Sequence, residues 1–175
     1  MWLSDAKIVN CCYNTTAPNI GLKLNMDRTT LKCYMADTGL LISHAFDEKH
    51  LVSNELYRKL LMDKLEVNAG MLIENIVAQM LAAAGHKLYF YSNPDNEDAE
   101  NRMEIDFLIR KDKVTSRHNI IPLEAKSSSG YKTVSLNKCV RKFGEFVTLP
   151  TVLHSSDART EEGIRYLPLY MTPLL

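Results

Sequence analysis

Between residues 69 and 84 the apolar positions Ile73, Ile76, Val77, Met80, Leu81 and Ala84 recur at helical spacing and form a broad stripe. Asn68 can cap this helix, alanines fill its last turn, and Gly85 can end it in the left-handed conformation. The period then changes. KLYFY at 87–91 predicts an aromatic-rich strand, MEIDFLIR at 103–110 alternates, and IIPLEAK at 120–126 predicts a third strand. Polar stretches at 93–100 and 111–119 separate them. A Ser-Gly loop at 127–130 precedes a helix expected over 135–147, and a strand at 150–155 leads to the closing segment RYLPLYM. Upstream, a short helix ends near Val9, residues 1–30 read as loop-rich, and 31–42 combine a strand-like start with a turn at Asp37-Thr38-Gly39. Leu56, Leu60 and Leu61 mark a helical stretch over 54–65. The order helix, three strands, helix, strand predicts an α/β core, a mixed central sheet flanked by helices.

Composition narrows this picture without changing it. The 175 residues suit one domain, and 46% hydrophobic with 24% charged residues excludes a disordered or collagenous chain. Lys and Arg total 21 against 21 Asp and Glu, so no whole-molecule basic field draws the chain onto nucleic acid. The zero is a sum over opposites. Residues 95–106 hold six acids and one base, whereas 111–142 hold eight bases and two acids. Lys132, Lys138, Arg141 and Lys142 fall on or beside the second predicted helix, where they either meet phosphates or form a solvated face. The four cysteines lack zinc-knuckle spacing and read as buried or semi-buried free thiols in a reducing compartment. The N-terminus has no signal-peptide pattern and no apolar run reaches the roughly 18 residues a membrane helix needs. The expectation is a cytoplasmic protein without a membrane partner.

Chemistry enters through position. Residues two apart on a strand share a face, about 6.6 Å along the axis. Glu104 and Asp106 therefore face one way while Ile105, Phe107 and Ile109 face the other, and Glu124 shares a face with Lys126. Charges on apolar strands suggest a compact site. Asp106 and Glu124 would hold a hard divalent cation, Mg²⁺ or Mn²⁺, through oxygens, with Lys126 orienting a water or stabilising developing negative charge. That set suits phosphodiester hydrolysis. An E-x-K triplet equally describes an exposed ion pair that stabilises little. Glu74 borders the apolar stripe of the first long helix and either joins the site or reaches past the rim to solvent.

The stretches WLSDAKIV, KCYMADTGLL, GMLIENIVAQML, EIDFLI, PLEAKSS and LPLYM, in that order, resemble a known family. It is the domain of unknown function that follows the AAA+ ATPase module in many bacterial and archaeal ATPases. Such domains are similar to the PD-(D/E)XK nuclease-like fold, whose restriction-endonuclease-like core is a helix, a three-stranded antiparallel unit, a helix and a further strand. The resemblance places the helical acid at Glu74, the strand acid at Asp106 and the D/E-x-K pair at Glu124 and Lys126. Position 105 is Ile where the superfamily name has Pro. No G-x-x-x-x-G-K-[ST] loop occurs, so the ATPase module is absent and this chain is not an ATPase by itself. The implied division is a linker or partial winged-helix element at 1–45 and a nuclease-like domain at 46–175. The implied function is metal-dependent cleavage of DNA. The alternative is a non-catalytic module that binds DNA or docks on an ATPase module in cis or in trans.

Overall fold

The computed structural model describes residues 2–19, 21–45, 69–95, 97–111, 116–128 and 130–175. The helix expected over 54–65 and the Asn68 cap lie outside them. The described elements begin with α1 (Trp2–Asp5), β1 (Val9–Thr15), β2 (Met26–Met35), α2 (Thr38–Ala45) and α3 (Ala69–Ala83). There follow β3 (Tyr89–Asn93), β4 (Met103–Arg110), β5 (Ile120–Ala125), α4 (Val134–Phe143) and β6 (Thr151–His154). The hairpin β7 (Arg159–Glu161) and β8 (Ile164–Pro168) and a 3-10 turn (Leu169–Leu174) close the chain.

The eight strands form one mixed sheet in the order β2-β1-β3-β4-β5-β6-β8-β7. β3, β4 and β5 are mutually antiparallel neighbours, while β6 lies parallel to β5 and β8 parallel to β6. The expected α/β class with a mixed sheet is therefore observed. Within residues 1–30, expected to be loop-rich after a short helix ending near Val9, the structure has β1 and the start of β2, whose end falls in the strand-like stretch expected from 31. The two pair antiparallel, and β1 runs parallel to β3. The sheet thus crosses the boundary expected between 45 and 46. Cys, Tyr and Thr in VNCCYNT are good strand formers that a reading dominated by the flanking Asn, Pro and Gly residues overlooks. Likewise, 38–45 is a helix where a turn was expected, begun by the Asp37 carboxylate accepting from the Leu40 N–H at 2.8 Å.

Two apolar layers hold the helices to the sheet. Val77, Ala78 and Leu81 of α3 pack with Phe107, Ile109, Ile121, Leu123 and Leu153 on one face. Leu136 and Cys139 of α4 pack with Ile105, Leu108, Ile120, Val152 and Tyr166 on the other. Gly85, at φ 93°, ends α3 in the left-handed turn expected of it. The stripe expected on α3 is displaced at both ends, for Ala84 is exposed and Asn75 is buried. Asn75 is tolerated there because its partners are fixed. Its Oδ1 accepts from the Met35 N–H at 2.8 Å, and its amide donates to Met35 O at 3.1 Å and Thr38 Oγ1 at 3.2 Å. This clamps α3 to the end of β2. Asn75→Ala is expected to cost about 2–3 kcal/mol, because buried backbone groups lose their partner. A thermal midpoint lowered by roughly 5–10 °C would report it, and an unchanged midpoint would show that the clamp contributes nothing.

The cysteines are free thiols: Cys12 and Cys139 are buried, Cys11 is half-buried, and Cys33 is more exposed than expected. Among the described residues, no helix is long and apolar enough to cross a membrane.

Candidate active site on the central strands

The alternation expected along β4 is interrupted. Tyr89 pairs with Leu108 but Tyr91 pairs with Ile105, so β4 carries an extra residue between these pairs. Ile105 consequently packs with the α4 layer while Phe107 and Ile109 pack with the α3 layer. The three were expected to share a face. A bulge of this kind re-aims a side chain, and here the side chain is that of Asp106. The described β4–β5 register ends at Phe107 and Leu123. Beyond it, Asp106 Oδ2 accepts the Ala125 backbone N–H at 2.8 Å, standing in for the carbonyl of a regular ladder.

Around Asp106 the structure gathers charges from three other elements. Glu74 of α3 accepts a hydrogen bond from the Tyr34 hydroxyl at 3.0 Å. Lys32 of β2 lies 3.7 Å from Glu74 and 2.6 Å from Glu104. Burial, then repulsion from Glu74, pushes the Asp106 carboxyl up to about 7, against the Ala125 N–H, Lys126 and Lys32, which favour its charged form. Burial, together with the charges of Glu74 and Asp106, also pushes the Tyr34 hydroxyl far up, so it is the donor to Glu74. Lys32 is held protonated: burial opposes its charge, but Glu104, Glu74 and Asp106 outweigh that.

Glu124 reaches this group differently. Leu123 and Ala125 belong to the α3 layer, so alternation turns Glu124 with Ile120 toward α4. It is 2% exposed, and its charge acts on Cys139 and meets the Leu136 backbone. Lys126 Nζ lies 2.9 Å from Glu124 Oε2, yet neither carboxylate oxygen accepts a well-directed hydrogen bond. Burial raises the Glu124 carboxyl and Lys126 counters it. Lys126 is the link, since its ammonium is also stabilised by Asp106 and Glu74. Thus Asp106, Glu74 and Lys126 share one electrostatic neighbourhood, and Glu124 joins it through Lys126 from the other side of the sheet.

Lys32, Tyr34 and their tie to Glu74 escaped the sequence reading. The only local signal was their two-residue spacing in the strand-like start LKCYM, which does not reveal a partner 40 residues away. The basic residues of α4 also found another use. Lys138 Nζ donates to Ala99 O at 2.5 Å and to Arg102 O at 3.1 Å, Arg141 pairs with Glu100 at 2.8 Å, and Lys142 donates to Asn101 at 2.6 Å. The basic helix therefore binds the acidic loop, through one ion pair and through carbonyl and amide oxygens.

Among the described residues, no group of three or more His, Cys, Asp or Glu side chains is placed to hold a metal ion. Two carboxylates can still suffice for Mg²⁺, which keeps several waters and takes further oxygens from substrate phosphates. Asp106 and Glu74 repel each other in a sheltered setting, a repulsion that a cation would relieve.

The fold and site define a mixed α/β domain with a sheltered strand aspartate set against a helical glutamate and a strand-end lysine. The chain belongs to the family described as "Domain of unknown function (DUF4143)", whose model matches residues 69–171. No curated protein and no solved structure matches it.

Proposed function

We propose that the chain is a metal-dependent nuclease-like domain that acts on DNA in the company of an AAA+ ATPase module, in a cytoplasmic setting. The observation that carries this reading is the convergence of Asp106, Glu74 and Lys126, with the Asp106 carboxyl pushed up to about 7. Perturbed groups of opposite kinds gathered at one place mark functional sites more often than structural ones. The run α3-β3-β4-β5-α4-β6 supports a restriction-endonuclease-like core, because it has that core's order of elements and an antiparallel three-strand unit. Asp106 and Glu74 would hold Mg²⁺ or Mn²⁺, which when bound supplies polarisation of a phosphoryl oxygen and a more acidic water. Lys126 orients the attacking water or offsets negative charge on the phosphate, and Glu124 holds Lys126 in place. Tyr34 and Lys32 fix the Glu74 carboxylate.

The test is plasmid nicking in Mn²⁺ with wild type and Asp106→Ala from matched preparations, alongside calorimetry of Mn²⁺ binding. Asp106→Ala is expected to lower nicking by about 10²-fold or more, the usual cost of removing a group that stabilises the transition state, and to abolish Mn²⁺ binding. A wild type that neither binds Mn²⁺ nor nicks DNA ends the catalytic reading.

A second reading has an observation of its own. Lys32 already sits between Glu74 and Glu104, and Lys126 against Glu124, so the charges close on one another without an ion. This favours a non-catalytic module that binds DNA or docks on the ATPase module. It predicts that binding survives Glu74→Gln, Asp106→Asn, Glu124→Gln and Lys126→Met together.

A further inference from the structure

Among the described residues, a concentration of cations outside any ion pair stands apart from α4. It lies at the other end of the sheet, where the β1–β2 loop, the α3–β3 turn and the end of β4 surround a cavity of about 390 Å³. Lys23, Lys87, Arg110 and Lys111 line it, and no Asp or Glu does. A second hollow of about 700 Å³ shares Lys23, His86, Lys87 and Tyr89 with the first, adds Lys7, and is again without an acidic residue. Lys7, Lys23, Lys87 and Arg110 are exposed. Among the described residues the ion pairs engage other bases, namely Lys32, Arg117, Lys126, Arg141 and Arg159. His86 is the exception to availability, since its Nε2 meets Leu175 O at 3.0 Å. In a chain of zero net charge, five cations from four separate segments meet at one concave surface, with no Asp or Glu among the described residues that line it.

We propose that this groove seats the phosphodiester backbone of a nucleic acid, with Lys23, Lys87 and Arg110 as its principal phosphate contacts. The inference rests on the nucleic-acid reading above and assigns that reading a binding surface. The cations are spread along two adjoining hollows rather than converging on one point, which suits a linear series of phosphates better than a single phosphate group. Lys and exposed Arg contacts of this kind position a backbone and carry no base sequence. Arg110 is four residues beyond Asp106 on β4, about 14 Å along the strand. The groove therefore contributes affinity and alignment and takes no part in chemistry.

Fluorescence anisotropy of a short labelled DNA duplex, measured with the full chain between about 50 and 200 mM salt, tests the assignment. Lys87→Ala/Arg110→Ala, both exposed, is expected to weaken binding at least about tenfold and to lower the salt slope by about 2, since each lost phosphate contact removes roughly 0.9. Adding Lys23→Ala lowers it by about one more. Unchanged affinity and slope would overturn the proposal. So would an equal loss in Lys138→Ala, which would move the contact to α4, or saturable ATP binding that displaces the duplex, which would make the groove a nucleotide pocket. The two readings fail separately. Absent nicking with groove-dependent binding intact refutes only the catalytic reading, whereas nicking by a wild type whose binding ignores the groove variants refutes only the groove.

Discussion

Asp106→Asn is expected to stabilise the domain at pH 8 by up to about 4 kcal/mol while changing it little at pH 4. The Asp106 carboxyl moves from its ordinary 3.8 to about 7 on folding. An acid raised in this way binds more protons folded than unfolded. Its full contribution is present below about pH 4, is lost as pH rises toward 7, and is constant above. A shift of about three units sets the upper size, and the half-buried position of the side chain argues for somewhat less. Asparagine keeps an oxygen for the Ala125 N–H and removes the charge that Glu74 repels. Chemical denaturation of both proteins across pH 4 to 8 measures the difference. Parallel wild-type and variant curves would show that Asp106 is not strained by its setting. The same experiment with Mn²⁺ at pH 8 has a second readout: the ion should recover stability in the wild type and not in Asp106→Asn.

Lys126→Ala is expected to lower stability by about 3 kcal/mol, with the thermal midpoint falling roughly 6–12 °C. The cause is what remains. The Glu124 side chain is 3% exposed, and Lys126, 26% exposed, is its one ion-pair partner among the described residues. Removing one member of a buried pair leaves a charge whose desolvation only the Leu136 backbone helps to offset. Part of the loss should disappear as pH falls, because burial raises the Glu124 carboxyl and losing Lys126 lets it take up a proton more readily. Glu124→Gln added to Lys126→Ala should recover most of the stability and none of the nicking. Stability that stays low in the double variant would place the role of Lys126 in packing instead. This pair of variants separates the lysine's structural work from any catalytic one, which a single substitution confounds.

Strong local signals were legible in the sequence. The period-3.6 run of α3, the left-handed end at Gly85 and the strands 103–110 and 120–125 are encoded by residues a few positions apart, and the structure places them within a residue or two of expectation. β1 was not legible, and of β2 only the part from residue 31 was. Their pairing is with each other and with β3, some 75 residues on, and their Asn, Pro and Gly neighbours suggest loop. A strand whose partner is distant leaves little trace in its own composition.

The sequence by itself determined which chemistry is available: Glu74, Asp106, Glu124 and Lys126, each on an element that local periodicity defines. Only the tertiary structure decided how these groups meet. A one-residue bulge in β4 turned Asp106 toward α3, and alternation in β5 kept Glu124 on the opposite face, leaving Lys126 to join the two. The tertiary structure also supplied Lys32 and Tyr34 from β2, turned the α4 bases to the acidic loop, and gathered Lys23, Lys87 and Arg110 around one cavity. The physical reason is common to all of these. Charge and hydrogen-bonding capacity belong to single residues, but burial, repulsion and pairing depend on distances between segments, which no local pattern specifies.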